Sequence, residues 1–215
     1  LAATHFGGVF SAGGAQKGFT SGLSAAWYGI ACGVGLILLG LLTAGSFRAL
    51  SLYTVPEYLE KRYGSRLIRI LGAILSTAAM LGITASQVQV AGAAGSLLGL
   101  EPGTASILAA LFFVSYTVLG GLWAVAVTDL VQILVGGAGM ALASVLVLQR
   151  TMEQGGLLTL LGERISEGEL TPHFTQLWGQ GFGFVLWLSL PTVMYTLIGQ
   201  DFYQRLFAAR DSKVA

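Results

Sequence analysis

Residues 1–14, LAATHFGGVFSAGG, and residues 181–207, GFGFVLWLSLPTVMYTLIGQDFYQRLF, decide how this chain is read. The first stretch is apolar yet too short to cross a bilayer before Lys17, and Gly7–Gly8 and Gly13–Gly14 interrupt it. The second follows several hydrophobic segments later and carries Pro191, where we expect it to break. A broken helix frees backbone carbonyls and amides at mid-membrane, where they can hold an ion and a solute. Gly- or Pro-interrupted segments in corresponding positions of two halves point to such a site.

The rest of the composition places the chain in a membrane. Charged residues make up 10% and hydrophobic residues 54%. The charges are also poorly mixed: none falls between Gly18 and Phe47, Ile70 and Leu100, Pro102 and Thr128, or Leu130 and Gln149. A spanning helix needs roughly 20 apolar residues, and each gap is long enough or nearly so. The 31 glycines suit closely packed membrane helices. We therefore expect an all-α integral membrane helix bundle, with residues 1–215 forming one transmembrane domain. Its parts are a half-helix over 1–14, spans over 22–46, 67–98, 103–120, 127–149 and 180–206, and a polar loop over 150–178. A start inside a half-helix, and an end just after a helix, lead us to expect a piece of something longer.

The bases set the orientation. Arg48, Lys61, Arg62, Arg66 and Arg69 fall in one loop, and Arg205, Arg210 and Lys213 in the C-terminal tail. The 150–178 loop holds two arginines against four glutamates, and the 99–102 turn has Glu101 and no base. Strict alternation puts every basic loop on one side, the cytoplasm by the positive-inside rule. The 150–178 loop then faces outside. Within the 47–66 loop, Thr54 and Pro56 read as the cap and first turn of a short helix. Glycine pairs Gly29/Gly33 and Gly95/Gly99 mark packing faces.

Several classes are excluded by chemistry. A net charge of +1 offers no nucleic-acid surface. Cys32 is the only cysteine and sits in an apolar run, a packing position. No metal-hydrolase or phosphate-loop motif is present, and the two histidines, His5 and His173, are far apart. No enzyme and no cofactor is expected.

Residues 116–132, YTVLGGLWAVAVTDLVQ, resemble the sodium:solute symporter family, which includes proline, pantothenate, sialic acid and sugar carriers. SGLSAAW, TVPEYLEKRYGSR and GQDFYQRLFAARD match the family in order over nearly the whole chain. The resemblance implies a leucine-transporter-type fold of two inverted five-helix repeats with broken first helices (5+5), of which this chain is the first repeat plus one broken helix. It further implies sodium-coupled symport of a small organic solute across the cytoplasmic (plasma) membrane, with Na+ as the coupling ion. A sensor built on a symporter-like domain, or a proton-coupled relative, is the alternative. Nothing in the sequence indicates the oligomeric state.

Residue roles follow from the same resemblance. ATHFGG, residues 3–8, stands where proline carriers have Ala-Ser-Asp-Met-Ser-Gly, so the carbonyls of Ala3 and Phe6 would coordinate sodium. His5 replaces the acid and Gly7 the hydroxyl. An intramembrane histidine can carry protons along an ion pathway, or stay neutral, bonded to a freed carbonyl. Asp129 reads as an N-cap with Thr128, as an acid on the sodium exit path, or both. Tyr195 aligns with an aromatic that closes over substrate in sugar carriers, and Thr192 lies one turn before it. Of Gln87 and Gln89, two residues apart on a helix, at most one faces the solute path. Trp187 could line a pocket or face lipid. No lysine or arginine lies in mid-membrane to clamp a carboxylate, though helix N-termini could do so, and the expected solute is a small organic acid or amino acid.

Overall fold

A computed structural model of the chain describes residues 2–50 and 52–211. Lys213, counted among the tail bases, lies outside the described residues. Among the described residues all regular structure is helical. The helices are α1 (Ala2–His5), α2 (residues 9–21), α3 (26–49), α4 (Val55–Tyr63), α5 (Arg66–Ser96), α6 (Pro102–Gly121), α7 (Trp123–Glu153), α8 (Leu157–Ser166), α9 (Gly181–Ile198) and α10 (Gln200–Phe207). Five helical stretches are long and apolar enough to cross a membrane: Phe10–Ala49, Arg66–Ser96, Pro102–Gly121, Trp123–Glu153 and Gly181–Phe207.

The first of these stretches folds back on itself at Gly22. Phe10 of α2 packs on Tyr28 of α3 with ring centroids 6.3 Å apart, which a straight helix forbids. Gly22 has φ 62° and ψ −145°, a region closed to side chains with a Cβ. A Cβ there would also collide with the carbonyl oxygen of Phe174. That carbonyl accepts a bond from the Leu23 amide at 2.9 Å, and Trp27 Nε1 donates to the Leu177 carbonyl at 2.9 Å. The long 154–180 connection is thereby tied to the α2–α3 hairpin. Gly22→Ala is expected to lower stability by about 1–3 kcal/mol from backbone strain alone. A drop in the melting temperature of the purified protein measures it.

The half-helix at the start does not end at Gly14. It breaks at Phe6–Gly7 and then runs on to Ser21. Lys17 does not stop it, because its ammonium lies 5.3 Å from the centre of the exposed Trp187 ring, near the end of the hairpin. A lysine with such a partner is tolerated close to the membrane boundary.

Two ends of the bundle are distinct. At one end, Arg48 Nε donates to the Ala209 carbonyl at 2.6 Å and the Val55 amide to Gln200 Oε1 at 2.8 Å. The basic 47–66 loop and the end of the last span therefore meet. The Gly22 turn and the 172–178 segment gather at the other end. Thr54 caps α4 through the Glu57 amide at 3.2 Å, with Pro56 in its first turn. At the α5–α6 turn, Glu101 accepts from the Thr104 amide at 2.7 Å. The Gly103 and Thr104 amides hold its carboxyl below the usual range. A sharp turn at Gly121, φ 56°, separates α6 from α7.

The last span departs most from expectation. Pro191 sits inside the continuous helix α9 rather than at a break. A proline removes one donor, which leaves a single carbonyl, that of Trp187, without its helical partner. The true break is at Gly199, whose ψ of 126° swings the chain out of helix before α10 begins. The core beside this break is formed by Leu39, Ala44, Phe202, Tyr203 and Leu206.

Candidate functional site

The break in the first helix is held by side chains from two other helices. The Gly8 amide, freed from helical bonding, donates to Gln87 Oε1 of α5 at 2.7 Å. The Phe6 carbonyl accepts from Gln132 Nε2 of α7 at 2.8 Å. The Ala3 carbonyl accepts from the Phe6 amide at 3.0 Å, and the Gly7 carbonyl from the Ser11 amide at 3.0 Å. Freed backbone groups buried in an apolar bundle must find partners. Two glutamines supply them here. A Cβ on Gly136 would fall 2.7 Å from the Phe6 ring, so α1 and α7 touch closely.

The first break meets the last span directly. His5 Nε2 lies 3.0 Å from Thr196 Oγ1 of α9, and Thr196 also donates to the Thr192 carbonyl at 2.9 Å. A hydroxyl has one proton, so with that bond made His5 donates its Nε2–H to Thr196. The partner of His5 is therefore a hydroxyl, not a freed carbonyl. The His5 ring packs on Phe202 of α10 at 4.8 Å. Thr196 is fully buried because α3 presses on it: a Cβ on Gly35 would lie 2.8 Å from its Cβ and Oγ1.

Between these elements lies a cavity of about 390 Å³. Thr4, His5, Gly7, Gln87, Thr192 and Tyr195 line it, with Asp201 at its α10 side. Tyr28, Phe202, Pro191, Ala79 and Ile83 complete the wall. The structure thus brings together four residues singled out from the sequence: His5, Gln87, Thr192 and Tyr195. Gln89 is exposed and outside the cavity. Ala3 and Phe6 do not line it either, and Phe6 faces α7. Thr192 Oγ1 donates to the Leu188 carbonyl at 2.8 Å, which leaves its lone pairs for a ligand.

Asp129 lies elsewhere. It is seven residues into the helix that starts at Trp123, so it is not an N-cap. Its Oδ2 accepts from Arg205 Nη2 at 2.9 Å and Nε at 3.2 Å. Both side chains keep only about a fifth of their surface exposed, 20% for Asp129 and 22% for Arg205. Arg205, read from sequence as a topology anchor, is thus half of an inter-helix ion pair. Thr196 and Asp201 stand out in the sequence only as polar residues after Pro191, and Gln132 only as the end of the 116–132 motif, with no role read for any of them. The Gly-Gln-Asp run at 199–201, a glycine followed by polar residues opening a helix, is the signal that marks Asp201.

Gln87→Leu removes the acceptor of the Gly8 amide. It is expected to destabilise the fold by about 1–3 kcal/mol, the cost of a buried unpartnered donor. Thermal unfolding of purified protein measures it, with Gln89→Leu as the tolerated control.

The geometry describes a multi-pass membrane protein with a mid-bundle cavity where two interrupted helices meet. The model of the sodium:solute symporter family matches residues 1–215, and the chain belongs to that family. It is 30% identical to the high-affinity choline transporter 1 of Caenorhabditis elegans over 62% of this chain and 23% of that protein. It is 34% identical to the sodium/glucose cotransporter of Vibrio parahaemolyticus over 54% of this chain and 22% of that one. Against the sodium/proline symporter of Haemophilus influenzae it is 29% identical over 90% of this chain and 40% of that protein. The chain therefore spans well under half the length of these relatives. No solved structure matches.

Proposed function

We propose that the protein to which this chain belongs is a sodium-coupled symporter of a small organic solute, working by alternating access in the cytoplasmic membrane, with no catalytic role. The cavity where the two interrupted helices meet carries this reading, because it gathers polar groups at mid-bundle from α1, α5, α9 and α10. The relatives, named for choline, glucose and proline, agree on the class and not on the solute.

Each residue has a proposed task. The carbonyls of Ala3 and Phe6 face sodium with the lone pairs their present hydrogen bonds leave over. Each accepts one bond, and a carbonyl oxygen has two lone pairs. Gln132 orients the Phe6 carbonyl, and Gln87 holds the first break open and borders the solute. Thr192 and His5 offer polar contacts, and Tyr195 closes the cavity toward the basic end. Asp129, paired with Arg205, stands on the route by which sodium leaves. Binding energy from ion and solute favours one arrangement of the two interrupted helices over the other, which couples their movements.

The test is uptake by the full-length protein in proteoliposomes, with labelled choline, proline, glucose and lactate under an inward sodium gradient and a potassium control. Accumulation of one solute only with sodium is the expected result. Uptake that follows pH and ignores sodium would replace sodium by protons. Sodium-dependent binding without flux would make the protein a sensor.

A further inference from the structure

We propose that the cavity selects a small organic cation, held by the Asp201 carboxylate against aromatic walls. The proposal rests on the transport reading above and names its solute class. It replaces the lean toward an organic acid or amino acid.

Charge is the first argument. Among the described residues Asp201 is the only carboxylate in the lining, and no lysine or arginine lines the cavity. Arg205, one turn along α10, is not its counter-ion. Its Nε and Nη2 bond Asp129, and its Nη1 reaches the Asp201 carbonyl at 3.1 Å. Among the described residues Asp201 has no salt bridge. The one basic side chain in the lining, His5, has its Nε2 held by Thr196. An anionic solute would meet this carboxylate with only the His5 ring and the Tyr195 hydroxyl beside it, and no lysine or arginine to offset it.

Unpartnered atoms are the second argument. Five buried side-chain atoms lack a well-formed hydrogen bond among the described residues, and three of them belong to cavity residues: Thr4 Oγ1, and Tyr195 OH and Asp201 Oδ1, whose side chains lie against each other. Buried polar atoms are nearly always bonded, so unbonded ones around a cavity point to an occupant that bonds them. This occupant must satisfy a carboxylate.

The walls decide between a metal ion and an organic cation. Tyr28, Tyr195 and Phe202 come from three helices, and Ala79 and Ile83 face them. Tyr195 and Phe202 meet edge to face at 5.9 Å. A bare metal ion asks for a shell of oxygens. Aromatic faces instead attract ammonium groups, above all quaternary ones. One carboxylate beside three aromatic rings is the chemistry of an ammonium site, and about 390 Å³ is ample room for a small organic cation.

The experiment is equilibrium binding of labelled choline to the purified full-length protein in sodium, with competition by 3,3-dimethyl-1-butanol, its uncharged isostere. Choline is expected to bind at least tenfold more tightly than the isostere, proline, glucose or lactate. D201N is expected to weaken choline at least tenfold. Equal binding of choline and the isostere overturns the proposal, as does no choline binding, preference for another probe, or a folded D201N with undiminished affinity. The wild-type comparison decides alone if D201N does not fold. Sodium-driven uptake of proline or glucose without choline binding sinks the cation site and leaves the symporter. Choline binding without sodium-dependent flux sinks the symporter and leaves the site.

Discussion

Arg205→Ala in the full-length protein is expected to lose most of its uptake, and the Asp129→Arg/Arg205→Asp exchange to recover part of it. The two side chains join α7 to α10 at 2.9 Å and keep a fifth of their surface exposed. Removing one partner of a buried pair strands the other charge, at about 3–5 kcal/mol. The partial exposure puts this pair near the low end, about 3 kcal/mol. Asp129→Ala is expected to cost a similar amount, because it strands the guanidinium. Uptake rates and melting temperatures of the two single variants and the exchange measure this. Equal loss in all three would mean that Asp129 acts by position rather than by pairing with Arg205.

Gly35→Leu is the second large effect. A Cβ there would already lie 2.8 Å from Thr196, and a leucine needs far more room. The helices α3 and α9 must separate, at about 1–3 kcal/mol for overpacking. The Thr196–His5 bond at 3.0 Å then fails, and with it the link between the first break and α9. Loss of uptake with a lowered melting temperature is expected. Gly33→Leu, two residues earlier, faces open space and is expected to behave as wild type. Equal damage from both would show that glycine matters to α3 for reasons other than this contact.

The spans were legible because a bilayer imposes a rule on every residue in it. Long charge-free gaps from Lys17 to Arg48, Arg69 to Glu101, Glu101 to Asp129 and Asp129 to Arg150 leave little else for the segments to be. The shared face of the 47–66 loop and the tail was legible for the same reason, since bases accumulate on one side. Four cavity residues stood out as polar groups in apolar runs. Their partners did not, because pairing reaches across the chain: Thr196 is 191 residues from His5 and Gln132 is 126 from Phe6. Pro191 misled because proline costs a membrane helix one hydrogen bond without ending it. Gly199 ends it, and its only mark in the sequence is the polar Gln-Asp pair that follows. Asp129 was misplaced because the helix starts at the Gly121 turn, several residues before the assumed start at 127.

The most direct measurement of the central claim is the reactivity of a cysteine placed in the cavity. Thr192→Cys is placed in a full-length background from which Cys32, the one thiol of this chain and a buried one, and any further cysteines have been replaced by alanine. A membrane-impermeant maleimide is applied from each side in turn, in sodium and in potassium. A cavity that opens alternately under control of sodium predicts that sodium shifts reactivity from one side to the other, and that bound solute protects the cysteine. The same rates in sodium and potassium from both sides would contradict the account.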